Sequence, residues 1–341
     1  MTAFLPDNFE DNLIYLAGMA RSGTTLISRA LDLHPEVYTP ADETLFVEHV
    51  WAMRDHAPNF LLRRTLFGSS GLHYTDVRRI LNQLPAELRR SLAHRIEEAF
   101  RELTFRDLYS LYPHVYFLAN SKGKEAAKVR FWKDKSTVRQ GFSLVAEHFP
   151  RAKFIFIVRN PLATVKSQII NGFGLRNRDI PIDEIQACNP TSNACYWYEM
   201  NKQIDAFHQS GQYDSLLVRY EDFVSDSYET IARLFEHIGL SQLDRQFVDE
   251  FVLKRKAVSN DPDKRAQTRS GVHTDSLSSH QTILSSAQTE LVCAITSPVA
   301  QVYGYDLPLH PNTVKMTLQT PFMSPRQKAS FLSRRLLPIF S

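Results

Sequence analysis

Residues 13–17, Leu-Ile-Tyr-Leu-Ala, are an apolar run that stops at Gly18. Such a run suits a strand buried on both faces. From Thr24 to His34 the residues Leu26, Ile27, Ala30, Leu31 and Leu33 recur at helical spacing, and Pro35 stops the pattern. The chain thus opens strand, glycine loop, helix. The same alternation resumes after residue 120. Val129–Trp132 reads as a strand, 137–148 as a helix, and Lys153–Val158 (Lys-Phe-Ile-Phe-Ile-Val) as the strongest strand of the sequence. Pro161 opens a helix to about Ile170, 171–190 reads as loop, and 193–209 as helix. Ser215–Val218 reads as a strand, 227–238 as a helix closed by Gly239, and 281–303 as helical. Strands alternating with helices predict an α/β fold with a central parallel sheet and helices on both faces. The helical block 44–120 is too long for one crossover and is expected as an insertion over the functional edge of the sheet, on the acceptor side.

With 341 residues, 43% of them hydrophobic and 23% charged, the chain can bury a full core without disulfide or metal staples. One domain over 1–310 and a basic tail over 311–341 are expected. Lysine and arginine total 40 and aspartate and glutamate 37, a net charge of +3. Asp306 is the last acid, and Lys315, Arg326, Lys328, Arg334 and Arg335 follow it, which leaves 35 cations against 37 acids in 1–306. A slightly acidic body gives no support to a nucleic-acid partner. The tail residues Phe331, Leu332, Leu336 and Leu337 could form an apolar stripe that docks on the body or on a partner subunit, which leaves a homodimer open; a membrane-surface contact is the second choice. Cys188, Cys195 and Cys293 contain no CxxC and fit a reducing compartment, although a Cys188–Cys195 bridge is conceivable. The N-terminus carries acids where a signal peptide needs a basic region and an apolar run. No stretch approaches the roughly 18–20 apolar residues of a membrane span. A cytoplasmic location without a transmembrane segment is expected.

The loop after the first strand reads Gly18-Met-Ala-Arg21-Ser22-Gly23-Thr24-Thr25. Both glycines and the last threonine fit the phosphate-loop pattern G-x-x-x-x-G-K-[ST], but Thr24 stands at the lysine position. An anion cradle is still available: backbone N–H groups at a strand-to-helix turn point at a phosphate, and the helix N-terminus adds positive potential. Thr24 and Thr25 add hydroxyls, and Arg21 a fork-shaped cation. Without the lysine that reaches the terminal phosphates, hydrolysis of a nucleoside triphosphate loses support. A second feature is Val158-Arg159-Asn160-Pro161, with Ser167 two turns into the following helix. Arg159 ends a buried strand, where open α/β sheets bind ligands, and with Ser167 it could grip a second phosphate. Two anion cradles at two strand ends of one sheet suggest a ligand with phosphates at two ends.

This pair resembles the family of sulfotransferases that use 3′-phosphoadenosine 5′-phosphosulfate (PAPS). In that family a [KR]-S-G-T-T loop binds the 5′-phosphosulfate, and a strand ending in Val-Arg-[DN]-Pro, with a serine eight residues after the arginine, binds the 3′-phosphate. Here these are Arg21–Thr25, Val158–Pro161 and Ser167. Phe131-Trp-Lys133-Asp134-Lys135-Ser136 resembles the family's Lys-Asp segment before the third strand. Trp197 and Asn201 resemble its W-x-x-x-N helix, and Arg219-Tyr220-Glu221-Asp222 its R-Y-E-D turn on the adenine side. Thr268-Arg269-Ser270-Gly271 resembles its late basic-glycine loop, and Gly304-Tyr305-Asp306 its last element. The likeness runs in order from about 12 to 306. Arg21 with His34-Pro35 is closer to the tyrosylprotein and bacterial branch than to the small-molecule branch of animal cytosol.

The resemblance implies a P-loop-kinase-like α/β fold and in-line transfer of a sulfuryl group from PAPS to a hydroxyl, or second an amine, of a small-molecule, sugar or peptide acceptor. It implies Glu43, in Ala41-Asp42-Glu43-Thr44, as general base, with Asp42 or a histidine (His49, His56) in its place as alternatives. Arg21 and Lys133, with Lys135 as substitute, would neutralise the leaving phosphate. Arg21, Ser22, Gly23, Thr24, Thr25, Lys133, Arg159, Ser167, Tyr220, Arg269, Ser270 and Gly271 would hold the donor. No metal is implied, because basic side chains supply the charge. Two other functions stay open: a phosphate-loop kinase or NTPase, and a non-catalytic nucleotide-binding module. The acceptor is the least constrained part. Ten arginines and no lysine lie in 44–120, and solvated helix faces paired with Glu87, Glu97, Glu98 and Glu102 explain them more readily than an anionic acceptor.

Overall fold

The computed structural model describes residues 9–39, 104–106, 109–110, 123–125, 128–136, 141–172, 182–253 and 283–308. Five strands run in parallel: β1 (Leu13–Ala17), β2 (Val37–Tyr38), β3 (Phe131–Ser136), β4 (Lys153–Val158) and β5 (Ser215–Arg219), in the order β2-β3-β1-β4-β5. The chain leaves β1 for the β2 edge, returns through β3, and then crosses to β4 on the other side of β1. The carboxyl ends of β1 and β4 therefore flank the point where the strand order reverses, the place where such sheets open a crevice for ligands.

Side chains alternate across each strand and sort into two cores. Leu13, Tyr15 and Ala17 of β1 and Phe154, Phe156 and Val158 of β4 face one side. There they meet α2 (Gly141–His148), α3 (Pro161–Gly172), α5 (Thr191–Gln209) and α9 (Ser286–Ala300). Ile14, Leu16, Ile155 and Ile157 face the other side, against α1 (Thr24–Asp32) and α7 (Ser227–Ile238). All five residues of β1 are fully buried, as expected for a central parallel strand. Helices thus cover both faces, as the alternation predicts.

Several elements differ from the sequence expectation. The segment read as a strand over Val129–Trp132 begins later and runs further, to Ser136, so the Lys-Asp segment is itself β3 rather than a lead-in to a strand. Residues 171–190, expected as loop, include α4 (Ile182–Ala187). Ile185 is buried, and Gln288 Nε2 on α9 donates to the carbonyls of Ile185 and Cys188 at 2.9 and 2.8 Å, so α4 is fixed by a distant helix rather than by its own periodicity. The two-residue β2, α6 (Tyr220–Ser225) and α8 (Arg245–Leu253) had no clear local signal. Gly239 ends α7 with φ 75°, as its position implied. None of the three cysteines is in a disulfide, so the conceivable Cys188–Cys195 bridge is not formed. Most of the 44–120 block and the 311–341 tail lie outside the described residues. Among the described residues no helix is long and apolar enough to cross a membrane.

Phe156 is buried within an aromatic cluster, with ring centroids 5.2 Å from Phe142 and 5.3 Å from Phe207. Phe156→Ala should destabilise the chain by about 3–5 kcal/mol, seen as a lower denaturant midpoint with little change in slope.

Candidate active site

The 18–23 loop leaves β1 under tight steric control. A Cβ on Gly18 would lie 2.6 Å from the Ile157 carbonyl oxygen of β4. Gly23 has φ 105°, and a Cβ there would meet the Tyr220 ring at 2.6 Å. Between them Arg21 takes φ 75°, a left-handed conformation that a side-chain-bearing residue rarely adopts. That turn directs both ends of Arg21 into bonds with the second cradle. Its Nε donates to Ser167 Oγ on α3 at 3.0 Å, and its carbonyl accepts from an Arg159 guanidinium nitrogen at 3.0 Å. Gln168 Nε2 adds a bond to the Ala20 carbonyl at 3.1 Å. The two cradles inferred from separate stretches of sequence are therefore one hydrogen-bonded unit.

Arg159 is nearly buried, and its guanidinium carbon lies 4.1 Å from the centroid of the Tyr220 ring, a cation–π contact. Tyr220 follows β5 directly, so it packs on Gly23 and Arg159 together. Lys166, on the same helix as Ser167, is also nearly buried. Burial first, and then the Arg159 charge, push its pKa below the usual lysine value. At the start of α1, Ser22 is fully buried and its hydroxyl has no hydrogen-bond partner among the described residues. The first N–H groups of a helix have no intrahelical acceptor. Thr24 is buried and Thr25 exposed at the same turn. An anionic oxygen at this position would satisfy the Ser22 hydroxyl and the helix N–H groups at once.

Lys133 lies deeper than expected. It pairs with Ile14 in the β1–β3 register, is buried, and donates from Nζ to Ser28 Oγ on α1. Lys135 pairs with Leu16, two residues nearer the carboxyl edge. Glu43, Asp42, His49, His56, Arg269, Ser270 and Gly271 lie outside the described residues. The structure thus brings together Arg21, Ser22, Gly23, Thr24, Thr25, Arg159, Ser167 and Tyr220, and sets Lys133 beneath them against α1. Gln168 was missed by the sequence reading; nothing about a glutamine after a serine marks it. Among the described residues no group of three or more His, Cys, Asp or Glu is placed to hold a metal ion.

The sulfotransferase family model matches residues 14–245, about two thirds of the chain and every strand of the sheet. The chain belongs to the sulfotransferase family. This family member is 27% identical over 256 residues to a protein-tyrosine sulfotransferase of Drosophila melanogaster. That likeness takes in 74% of this chain but 43% of the fly protein, so the chain spans less than half of that relative's length. Two solved structures share the fold. One is the sulfotransferase domain from the curacin biosynthetic pathway, with a TM-score of 0.55 and 17% identity over 86% of this chain and 98% of that domain. The other is the sulfotransferase domain from the Synechococcus PCC 7002 olefin synthase, with a TM-score of 0.53 and 21% identity over 90% of this chain and all of that domain. The family match includes the loop at 18–25, the strand end at Arg159 and the Arg219–Asp222 turn; segments 268–271 and 304–306 lie past its end.

Gly23→Ala should lower stability by more than about 1 kcal/mol, because the backbone is left-handed and Tyr220 blocks the new methyl. Gly239→Ala shares the left-handed backbone but meets nothing within 4 Å, so its thermal midpoint should fall less. Equal losses for the two variants would show that Tyr220 does not pack on the loop.

Proposed function

We propose that this family member transfers a sulfuryl group from PAPS to an acceptor hydroxyl, with an amine as the second choice, in line and with a carboxylate base. The observation that carries the reading is the bonding of Arg21 to both Ser167 and Arg159, which joins the loop after β1 to the end of β4 and to α3 at the switch point of the sheet. A donor with phosphate groups at both ends of its ribose matches that pairing. The buried, unsatisfied Ser22 hydroxyl fits a phosphosulfate oxygen at the N-terminus of α1. When bound, PAPS supplies a sulfuryl group already attached to a good leaving group.

In this reading Ser22, Gly23, Thr24 and Thr25 hold the 5′ end, and Arg159 and Ser167 hold the 3′-phosphate. Tyr220 supports the Arg159 guanidinium and the adenine side. Arg269, Ser270 and Gly271 close over the nucleotide. Arg21 neutralises charge that builds on the leaving phosphate, as fixed cations do in phosphoryl transfer. Lys133, whose Nζ also donates to Ser28, shares that task, with Lys135, two residues nearer the carboxyl end of β3, as the substitute. Glu43 accepts the proton of the acceptor. The likeness to a protein-tyrosine sulfotransferase makes a peptide phenol the first acceptor to try, with sugars and small phenols after it.

A screen with labelled PAPS over phenols, sugars, peptides and amines should yield one sulfated acceptor class. Glu43→Ala should then abolish transfer while 3′-phosphoadenosine 5′-phosphate (PAP) still binds; wild-type turnover in that variant would remove Glu43 as the base. Arg159→Ala should weaken PAP binding roughly 10- to 100-fold, the range for losing a charge-assisted contact. Unchanged affinity would remove Arg159 from the 3′-phosphate site.

A further inference from the structure

Arg159 must deliver its guanidinium to a fixed point, and the backbone that carries it is held with unusual thoroughness. Both polar groups of the Arg159–Asn160 peptide unit are bonded to side chains from other elements. The Arg159 carbonyl accepts from the indole Nε1 of Trp197, on α5, at 2.9 Å. The Asn160 N–H donates to Glu221 Oε1, on α6, at 2.9 Å. Each of these side chains is itself held. Asn201, fully buried one turn after Trp197, donates to the Trp197 carbonyl at 2.7 Å, and the Tyr303 hydroxyl donates to the Asn201 carbonyl at 2.6 Å. The Tyr305 hydroxyl donates to the second Glu221 oxygen at 2.7 Å, and the Arg219 guanidinium carbon lies 4.7 Å from the centroid of the Tyr305 ring. Asn160 Oδ1 meanwhile accepts from the N–H groups of Leu162 and Ala163, which caps α3, the helix that carries Ser167.

We propose that Trp197 and Glu221, backed by Tyr305, are positioning residues for the 3′-phosphate site: they clamp the Arg159–Asn160 peptide unit and thereby set the direction of Arg159 and the start of α3. The proposal rests on the assignment of Arg159 and Ser167 to the 3′-phosphate. A single peptide plane bonded at both its carbonyl and its N–H cannot rotate without breaking a buried bond, and each bond left unmade carries a desolvation cost. Glu221 adjoins Tyr220, the ring beneath Arg159, so one short helix holds the arginine from the backbone side and from the side-chain side. Tyr305 extends the clamp to the end of the described chain. This gives the W-x-x-x-N helix, the R-Y-E-D turn and the Gly304-Tyr305 element one shared task.

The test compares affinity for PAP with affinity for adenosine 5′-phosphate, which lacks the 3′-phosphate, in the full chain. Wild type should prefer PAP. Glu221→Ala and, separately, Trp197→Phe should each reduce the PAP preference roughly tenfold while adenosine 5′-phosphate binds as before. Glu221→Gln keeps an acceptor for the Asn160 N–H and should restore most of the preference. Tyr305→Phe should cause a smaller loss, about threefold. Variants that lose both ligands in equal measure, or that keep the wild-type preference, overturn the clamp. If Glu221→Ala does not fold, Trp197→Phe decides alone, because it removes the donor and keeps a ring in the core. A wild-type protein that binds the two ligands equally would instead overturn the 3′-phosphate assignment itself.

Discussion

The hydrogen bond from the Arg159 guanidinium to the Arg21 carbonyl, 3.0 Å long, joins the carboxyl ends of β4 and β1 across the crevice of the sheet. Arg21 can offer that carbonyl because its backbone is left-handed, and the left-handed turn is flanked by two glycines whose neighbours leave no room for a methyl group. The same turn sends the Arg21 side chain to Ser167 on α3. A loop that would otherwise be a separate strand-to-helix turn thus takes its shape from the neighbouring strand end and helix. Moving either cradle moves the other.

Electrostatics follow from this economy. The body of the chain is slightly acidic, and the net positive charge of the sequence comes from residues after Asp306. Anion affinity at the sheet edge is therefore local. In the proposed reading it arises from Arg21, which is exposed, from the nearly buried Arg159, from a helix N-terminus and from the buried Ser22 hydroxyl. Beside Arg159, the nearly buried Lys166 has its pKa pushed down by burial first and by the Arg159 charge second.

The central strands and the loop and strand end proposed as cradles were legible as elements in the sequence because each rests on local pattern. The apolar runs at 13–17 and 153–158, the glycines of the loop and the Arg-Asn-Pro strand end all carry their own signal, and the structure places them where those signals point. What escaped depends on distant partners. Residues 182–187 are helical, and Gln288, about a hundred residues away, holds the end of that helix by donating to the carbonyls of Ile185 and Cys188. The bond from Lys133 to Ser28 is likewise set by strand register, which no local pattern announces. Trp197 and Glu221 were visible as motif residues, but that they grip the two sides of one peptide unit is a fact of three-dimensional placement alone.

The central claim is that two cradles form one site for a nucleotide phosphorylated at both its 5′ and 3′ positions. The most direct measurement is a calorimetric titration of the unaltered chain with PAP, adenosine 5′-phosphate, adenosine 3′-phosphate and ATP with magnesium. The account predicts that PAP binds more tightly than either monophosphate and that ATP with magnesium does not match it. Equal affinity for the three adenosine phosphates, or a preference for ATP with magnesium, would contradict it.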